Sequence, residues 1–332
     1  MRGRSRLPGR GPVRSVPMRR ILPLSRRTLP PFLAVLLALA GCEPVDGEQP
    51  GEDGRPTAVR GLPTAAGTHR LKLDVKGPGH REYLLHVPPR LARGRFRNGR
   101  PARPLPLVLA MHGGASTMDR MRRLTGFDGP ADEHGFLVAY PDGFMLSWNA
   151  GDCCGPAKVG NVDDVGFLTK LADTLVDAGF ADPDRIYATG FSNGAGMAYR
   201  LACEGPGRFA AIGVVSAALV MKRCEPSRPV PVLVYHGTAD RSVPYDGGGR
   251  RDINDERPFP PVQYSIDFWR RANGLPALRR TTLNRSSTLC RTTGRGRGGA
   301  EVELCRVAGG GHRWPGTATE RLWDFFAAHP RS

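Results

Sequence analysis

A serine set between glycines, Gly190-Phe191-Ser192-Asn193-Gly194, constrains this chain more than any other segment. The run before it, Arg185-Ile186-Tyr187-Ala188-Thr189, reads as a buried strand. The run after it, Ala195-Gly196-Met197-Ala198-Tyr199-Arg200-Leu201-Ala202, reads as a helix. A strand that becomes a helix within so few residues must turn sharply, and the turn lifts the serine Oγ clear of the sheet at a helix N-terminus. Glycines beside it tolerate backbone strain and let strand and helix approach closely.

The rest of the chain supplies the framework such a turn needs. Short apolar runs at 105–111, 136–140, 185–189, 210–217 and 230–235 alternate with helical stretches. That rhythm predicts an α/β fold with a mostly parallel sheet and helices on both faces. Ahead of it, Leu71, Leu73 and Val75, then Tyr83, Leu85 and Val87, alternate with polar neighbours around Gly77-Pro78-Gly79, which predicts an N-terminal antiparallel hairpin. Leu168, Leu171, Ala172 and Leu175 share one face of a helix. Asp163 and Asp164 open that helix, where carboxylates suit the positive end of its dipole.

The front of the chain is of another kind. Residues 1–41 hold nine arginines and no acid, and end in the apolar run Pro31-Phe32-Leu33-Ala34-Val35-Leu36-Leu37-Ala38-Leu39-Ala40-Gly41. That run is short for a membrane span and reads as the apolar core of a signal peptide, with Met18 an alternative start. Leu39-Ala40-Gly41-Cys42 resembles the lipobox of bacterial lipoproteins, which implies lipid modification at Cys42. Ser25-Arg26-Arg27-Thr28-Leu29 resembles a twin-arginine export signal. Residues 42–66, rich in Pro, Gly, Glu and Asp, read as a flexible tether, leaving 67–332 as one catalytic-sized domain. The product is expected outside the cytoplasm, lipid-anchored or secreted.

Removing the leader changes the charge argument. The net charge of +17 falls to about +8, from 39 basic against 31 acidic residues. A moderately basic surface suits anionic lipid or wall polymer and does not argue for nucleic acid. The single Gly294-Arg295-Gly296-Arg297-Gly298-Gly299 stretch reads as a loop between two strands.

Apart from Cys42, six of the seven cysteines remain. An even number in an exported chain suggests disulfides. Cys203–Cys224 and Cys290–Cys305 each bracket a local segment and are the expected pairs. Cys153-Cys154 is left as a vicinal pair or as two free thiols. No C-x-x-C or H-x-x-x-H spacing offers a zinc site, and no cofactor is called for.

In an open parallel sheet, chemistry gathers where the strands end. The run 105–111 leads into His112-Gly113-Gly114, a loop with free backbone N–H groups. Gly114, with the N–H of Asn193, is the candidate oxyanion hole. The run 230–235 leads into His236-Gly237-Thr238-Ala239-Asp240; Asp240, rather than Asp246, is the candidate acid. His312, on the loop Gly309-Gly310-Gly311-His312-Arg313-Trp314-Pro315-Gly316, is the candidate base, completing the order Ser192, Asp240, His312. His112 and His236 read as structural. Trp148 and Trp314 flank the site in sequence and are candidates for an aromatic wall against the substrate.

These segments, with Trp148-Asn149 and Asp163-Asp164-Val165-Gly166-Phe167, resemble the polyhydroxybutyrate depolymerase-like esterases, a family that includes feruloyl and acetyl xylan esterases. The resemblance runs from about residue 71 to 326. It implies an α/β-hydrolase fold and a serine esterase of small-molecule or polymer esters, with Ser192, Asp240 and His312 as the triad. Polymer-degrading members often carry an extra substrate-binding domain for which this chain has no room. A non-catalytic wall-polymer-binding lipoprotein and a peptidase of the same fold are the competing readings.

Overall fold

The computed structural model describes residues 61–75, 80–97, 99–252 and 255–331. The expected hairpin is there: β1 (Gly67–Asp74) pairs antiparallel with β2 (His80–Val87), with Leu71 opposite Tyr83. The short α1 (Pro89–Ala92) and the two-residue strands β3 (Phe96–Arg97) and β4 (Arg100–Pro101) lead into β5 (Leu105–Met111). Then come α2 (Met118–Thr125), α3 (Asp128–His134), β6 (Leu137–Pro141), α4 (Gly155–Val159) and α5 (Asp164–Asp177). They are followed by β7 (Ala181–Phe191), α6 (Asn193–Glu204), β8 (Ala211–Val215) and β9 (Val232–Gly237). The chain finishes with α7 (Val262–Ala272), β10 (Arg280–Arg285), β11 (Thr288–Thr292), β12 (Val302–Val307) and α8 (Ala318–Ala327).

One sheet carries the strands in the order β1-β2-β6-β5-β7-β8-β9-β12-β11-β10. From β6 to β12 every neighbouring pair is parallel, and the hairpins β1–β2 and β10–β11 extend the sheet antiparallel at its two edges. The second hairpin has no clear sequence signal. In β10, Arg280-Thr281-Thr282-Leu283-Asn284-Arg285, no residue is buried, so a polar edge strand looks like a loop.

The period of two along each central strand sorts its side chains between two helical layers. Leu107, Leu109 and Met111 face a core shared with Leu168, Leu171 and Leu175 of α5, while Val108 and Ala110 face Met118, Met121, Leu322 and Phe326. The helical stripe expected in α5 is therefore its buried face. Each such leucine contributes about 1.5–3 kcal/mol on burial. At Gly213 in β8 an added Cβ would collide with Leu322, so this glycine lets α8 lie close on the sheet.

Candidate active site

The serine turn has the predicted context, but its strain sits at another residue. Ser192 itself adopts φ 54° and ψ −121°, between the end of β7 and the start of α6. A non-glycine residue held there costs about 1–3 kcal/mol and needs surrounding structure to enforce it. The enforcement is visible: the Ser192 N–H donates to the Val215 carbonyl at 2.9 Å, and Ala195 and Gly196 donate to the Ser192 carbonyl. Gly190 and Gly194 do not adopt positive φ. They are glycine because a Cβ on either would meet main chain: Gly194 carbonyl atoms at Gly190, and the Met111 and His112 carbonyls at Gly194.

The candidate acid and base meet on two loops 72 residues apart. His312 Nδ1 donates to Asp240 Oδ2 at 2.8 Å, and Asp240 Oδ1 accepts the N–H groups of Ser242 and Val243, each at 2.9 Å. Burial pushes the Asp240 carboxyl up, but the bonds from His312 and Val243 outweigh it and hold the group below the usual carboxylate range. Because Asp240 accepts at Nδ1, the lone pair of His312 is left on Nε2. Asp246 is exposed and plays no part in this contact. His236, fully buried beneath the loop, faces the Val243 carbonyl through Nε2 at 2.8 Å and props the turn that presents Asp240. Burial lowers its pKa.

The candidate oxyanion groups stand beside the serine. A Cβ on Gly113 would lie 3.4 Å from Ser192 Cβ, so the His112-Gly113-Gly114 loop rests directly on Ser192. The Gly114 N–H has no acceptor among the described residues, and the Asn193 N–H is in the first turn of α6, where no intrahelical acceptor exists. The Asn193 side chain is fixed at both ends of its amide: Oδ1 accepts the Trp148 N–H at 2.7 Å and Nδ2 donates to the Trp148 carbonyl at 2.9 Å.

That pairing explains two motifs whose purpose is not evident from sequence. Trp148 is 0% exposed, and its indole N–H donates to the His112 carbonyl at 2.9 Å. The next residue, Asn149, donates its N–H to Asp164 Oδ2 at 2.8 Å, and its carbonyl accepts from Arg200 at 2.7 Å. Asp164, also 0% exposed, is bound by Arg81 at 2.9 Å. Burial raises the Asp164 pKa, against the pull of Arg81. Of the acidic pair, Asp163 is the helix cap, accepting from the Gly166 N–H at 2.8 Å. Asp164 instead points inward and ties α5 to the segment that holds Asn193.

The aromatic wall expected from Trp148 and Trp314 is not where the structure puts them. Trp314 is 8% exposed, packs edge-on against Phe127 and donates its N–H to Thr319 at 2.9 Å. Both indoles are satisfied inside the protein, so both belong to the packing. The cavity over Ser192, about 300 Å³, is lined instead by Gly114, Asn193, His312, the Cys153-Cys154 pair, Val220, Val243 and Phe259, with Arg250 and Arg251 at its edge. Cys153, Ala218, Val220, Val243 and Phe259 form a small apolar cluster of their own, separate from the two cores. These lining residues come from five loops and the start of α6 with no shared period, so no sequence pattern joins them.

Cys203 and Cys224 are bonded, as are Cys290 and Cys305, in the expected pairing, and Cys153 and Cys154 form a vicinal disulfide. Cys42 and the expected leader at 1–41 lie outside the described residues. Among those described, no helix is long and apolar enough to cross a membrane.

Comparison with known proteins agrees with this architecture. Residues 83–241 match the family described as Esterase PHB depolymerase. NocK of Nocardia uniformis subsp. tsuyamanensis, provisionally named an esterase, is 32% identical over 312 residues, covering 86% of this chain and 88% of that protein. Feruloyl esterase C of Emericella nidulans is 29% identical over 224 residues, covering 65% of this chain and 72% of that one. The acetyl xylan esterase of Aspergillus awamori superposes with a TM-score of 0.57 at 16% identity, over 79% of this chain and all of that one, a likeness of fold. With its α/β-hydrolase sheet and its similarity along most of its length, the chain belongs to the Esterase PHB depolymerase family and is an esterase.

Proposed function

We propose that the protein is an extracytoplasmic serine carboxylesterase that hydrolyses short hydroxyacyl, feruloyl or acetyl esters through an acyl-enzyme on Ser192. Ser192 Oγ attacks the ester carbonyl while His312 Nε2 takes its proton, and Asp240 steadies the imidazolium. The N–H groups of Asn193 and Gly114 receive the oxyanion. The alcohol leaves with the proton from His312, and water activated by the same imidazole then releases the acid. The observation that carries this reading is the His312–Asp240 contact at 2.8 Å on the wall of the cavity that also exposes Ser192.

The apolar cluster of Cys153, Ala218, Val220, Val243 and Phe259 supports a compact acyl or aromatic group rather than a long lipid chain, since the cavity measures about 300 Å³. The leader at 1–41, a lipid anchor at Cys42 and a tether at 42–66 complete the proposal. Three disulfides in the domain suit an oxidising compartment.

Hydrolysis of feruloyl, acetyl and 3-hydroxybutyryl esters, compared by kcat/KM on wild type and Ser192→Ala, tests the reading. Preference for one of the three, lost in the variant, supports it. Turnover of all three unchanged by the substitution would refute it.

A further inference from the structure

We propose that the opposite end of the sheet holds a second binding site, for an anionic ligand bearing carboxylate or phosphate groups. Where β5 and β7 begin, a cavity of about 670 Å³ opens between Arg90, Arg95, Arg103, Arg185, His134 and Trp323. No Asp or Glu lines it. The stretch from Arg90 to Arg103 contains six arginines and no acid. Arg185 is paired with Asp182 at 2.7 Å, and His134 lies 3.8 Å from the exposed Glu320. Arg90, Arg95 and Arg103 have no acidic partner among the described residues. Gly135, whose φ of 76° favours glycine after α3, lies directly beneath the stem of Arg90.

An arginine-rich rim alone is ordinary solvated surface. The second observation is Tyr187, which forms part of the cavity wall. Its ring is fully buried and stacked on Phe326 with centroids 4.9 Å apart, yet its hydroxyl has no hydrogen-bond partner among the described residues. Buried hydroxyls are rarely left unpaired, because nothing offsets the loss of their water. The accessible groups at this cavity are guanidinium forks, which match carboxylate and phosphate oxygens two at a time, and directly behind them lies the unpaired Tyr187 O–H. The volume falls in the range of sites for organic ligands rather than single ions.

Isothermal titration of the full chain with a galacturonate oligomer, a glycerol phosphate oligomer and a neutral galactose oligomer tests the proposal. At least one anionic probe is expected to bind, more weakly as salt rises, while the neutral oligomer does not. Whichever anion binds identifies carboxylate or phosphate as the source. Replacing Arg90, Arg95 and Arg103 together with Gln should weaken binding by more than about tenfold, and Tyr187→Phe, which keeps the stacked ring, by up to about tenfold. Hydrolysis of a small activated ester should survive the triple exchange, which alters only exposed side chains and so reports a folded protein. Failure of both anionic probes to bind, equal binding of the neutral oligomer, or binding undiminished in the triple variant would overturn the site.

Discussion

The two ends of the central sheet present opposite kinds of cavity built from the same strands. At the ends where β5, β7, β9 and β12 stop, the space is small, about 300 Å³, and is lined by a strained serine and an imidazole that contacts a buried carboxylate. At the ends where β5 and β7 start, the space is about twice as large and strongly cationic, with no carboxylate in its wall. Size and charge therefore do not mark the chemistry. What marks it is convergence: parallel strands deliver successive loops to one rim, so residues far apart in the chain meet there.

The contrast can be broken most decisively at Ser192. Ser192→Ala should lower kcat by roughly 10⁴–10⁶-fold, whereas the arginine exchanges at the far end should leave it unchanged; steady-state kinetics on an activated ester compares them. Asp240→Asn should cost about 10⁴-fold by upsetting the His312 tautomer. Asp246→Asn, its exposed neighbour, should cost nothing measurable, and equal losses would remove Asp240 from its assigned place. Leu171→Ala, in the α5 core, should reduce stability by about 2–5 kcal/mol in urea unfolding while kcat holds. A large loss of kcat there would mean that the rim is not insulated from the core.

Smaller effects sharpen the picture of how the rim is held. Asn193→Ala keeps the backbone N–H but releases the Trp148 segment, so kcat should drop by up to about 10²-fold with KM little changed. The pH response is smaller again. Since the Asp240 carboxyl is held below its ordinary value, the stability it contributes is present above about pH 4 and lost as pH falls through the lower, folded value. Thermal melts between about pH 5 and 2 should fall more steeply for wild type than for Asp240→Asn. Parallel curves would show that the carboxylate contributes no net stability.

How much of this was readable from sequence depended on locality. The serine turn, the apolar strands and the face of α5 follow local periods, and the order Ser192, Asp240, His312 points to strand ends, where His312 meets Asp240 and shares one cavity with Ser192. The cysteine pairs brackets of 21 and 15 residues were equally legible. What failed was the direction of side chains within a motif. Trp148 sits next to the site in sequence, yet its indole turns inward to the His112 carbonyl. Asp163 and Asp164 are adjacent, but successive helical positions are about 100° apart, so one caps the helix and the other pairs with Arg81 in the interior. The apolar lining of Val220, Val243 and Phe259 left no trace, because only tertiary structure gathers it.

A serine made reactive by its neighbours is the claim on which the rest stands, and a fluorophosphonate probe tests it directly. Mass spectrometry of the labelled, digested protein should find a single adduct on Ser192, absent from Ser192→Ala and formed far more slowly in Asp240→Asn. An unlabelled protein, or an adduct on another residue that persists in Ser192→Ala, would contradict the account.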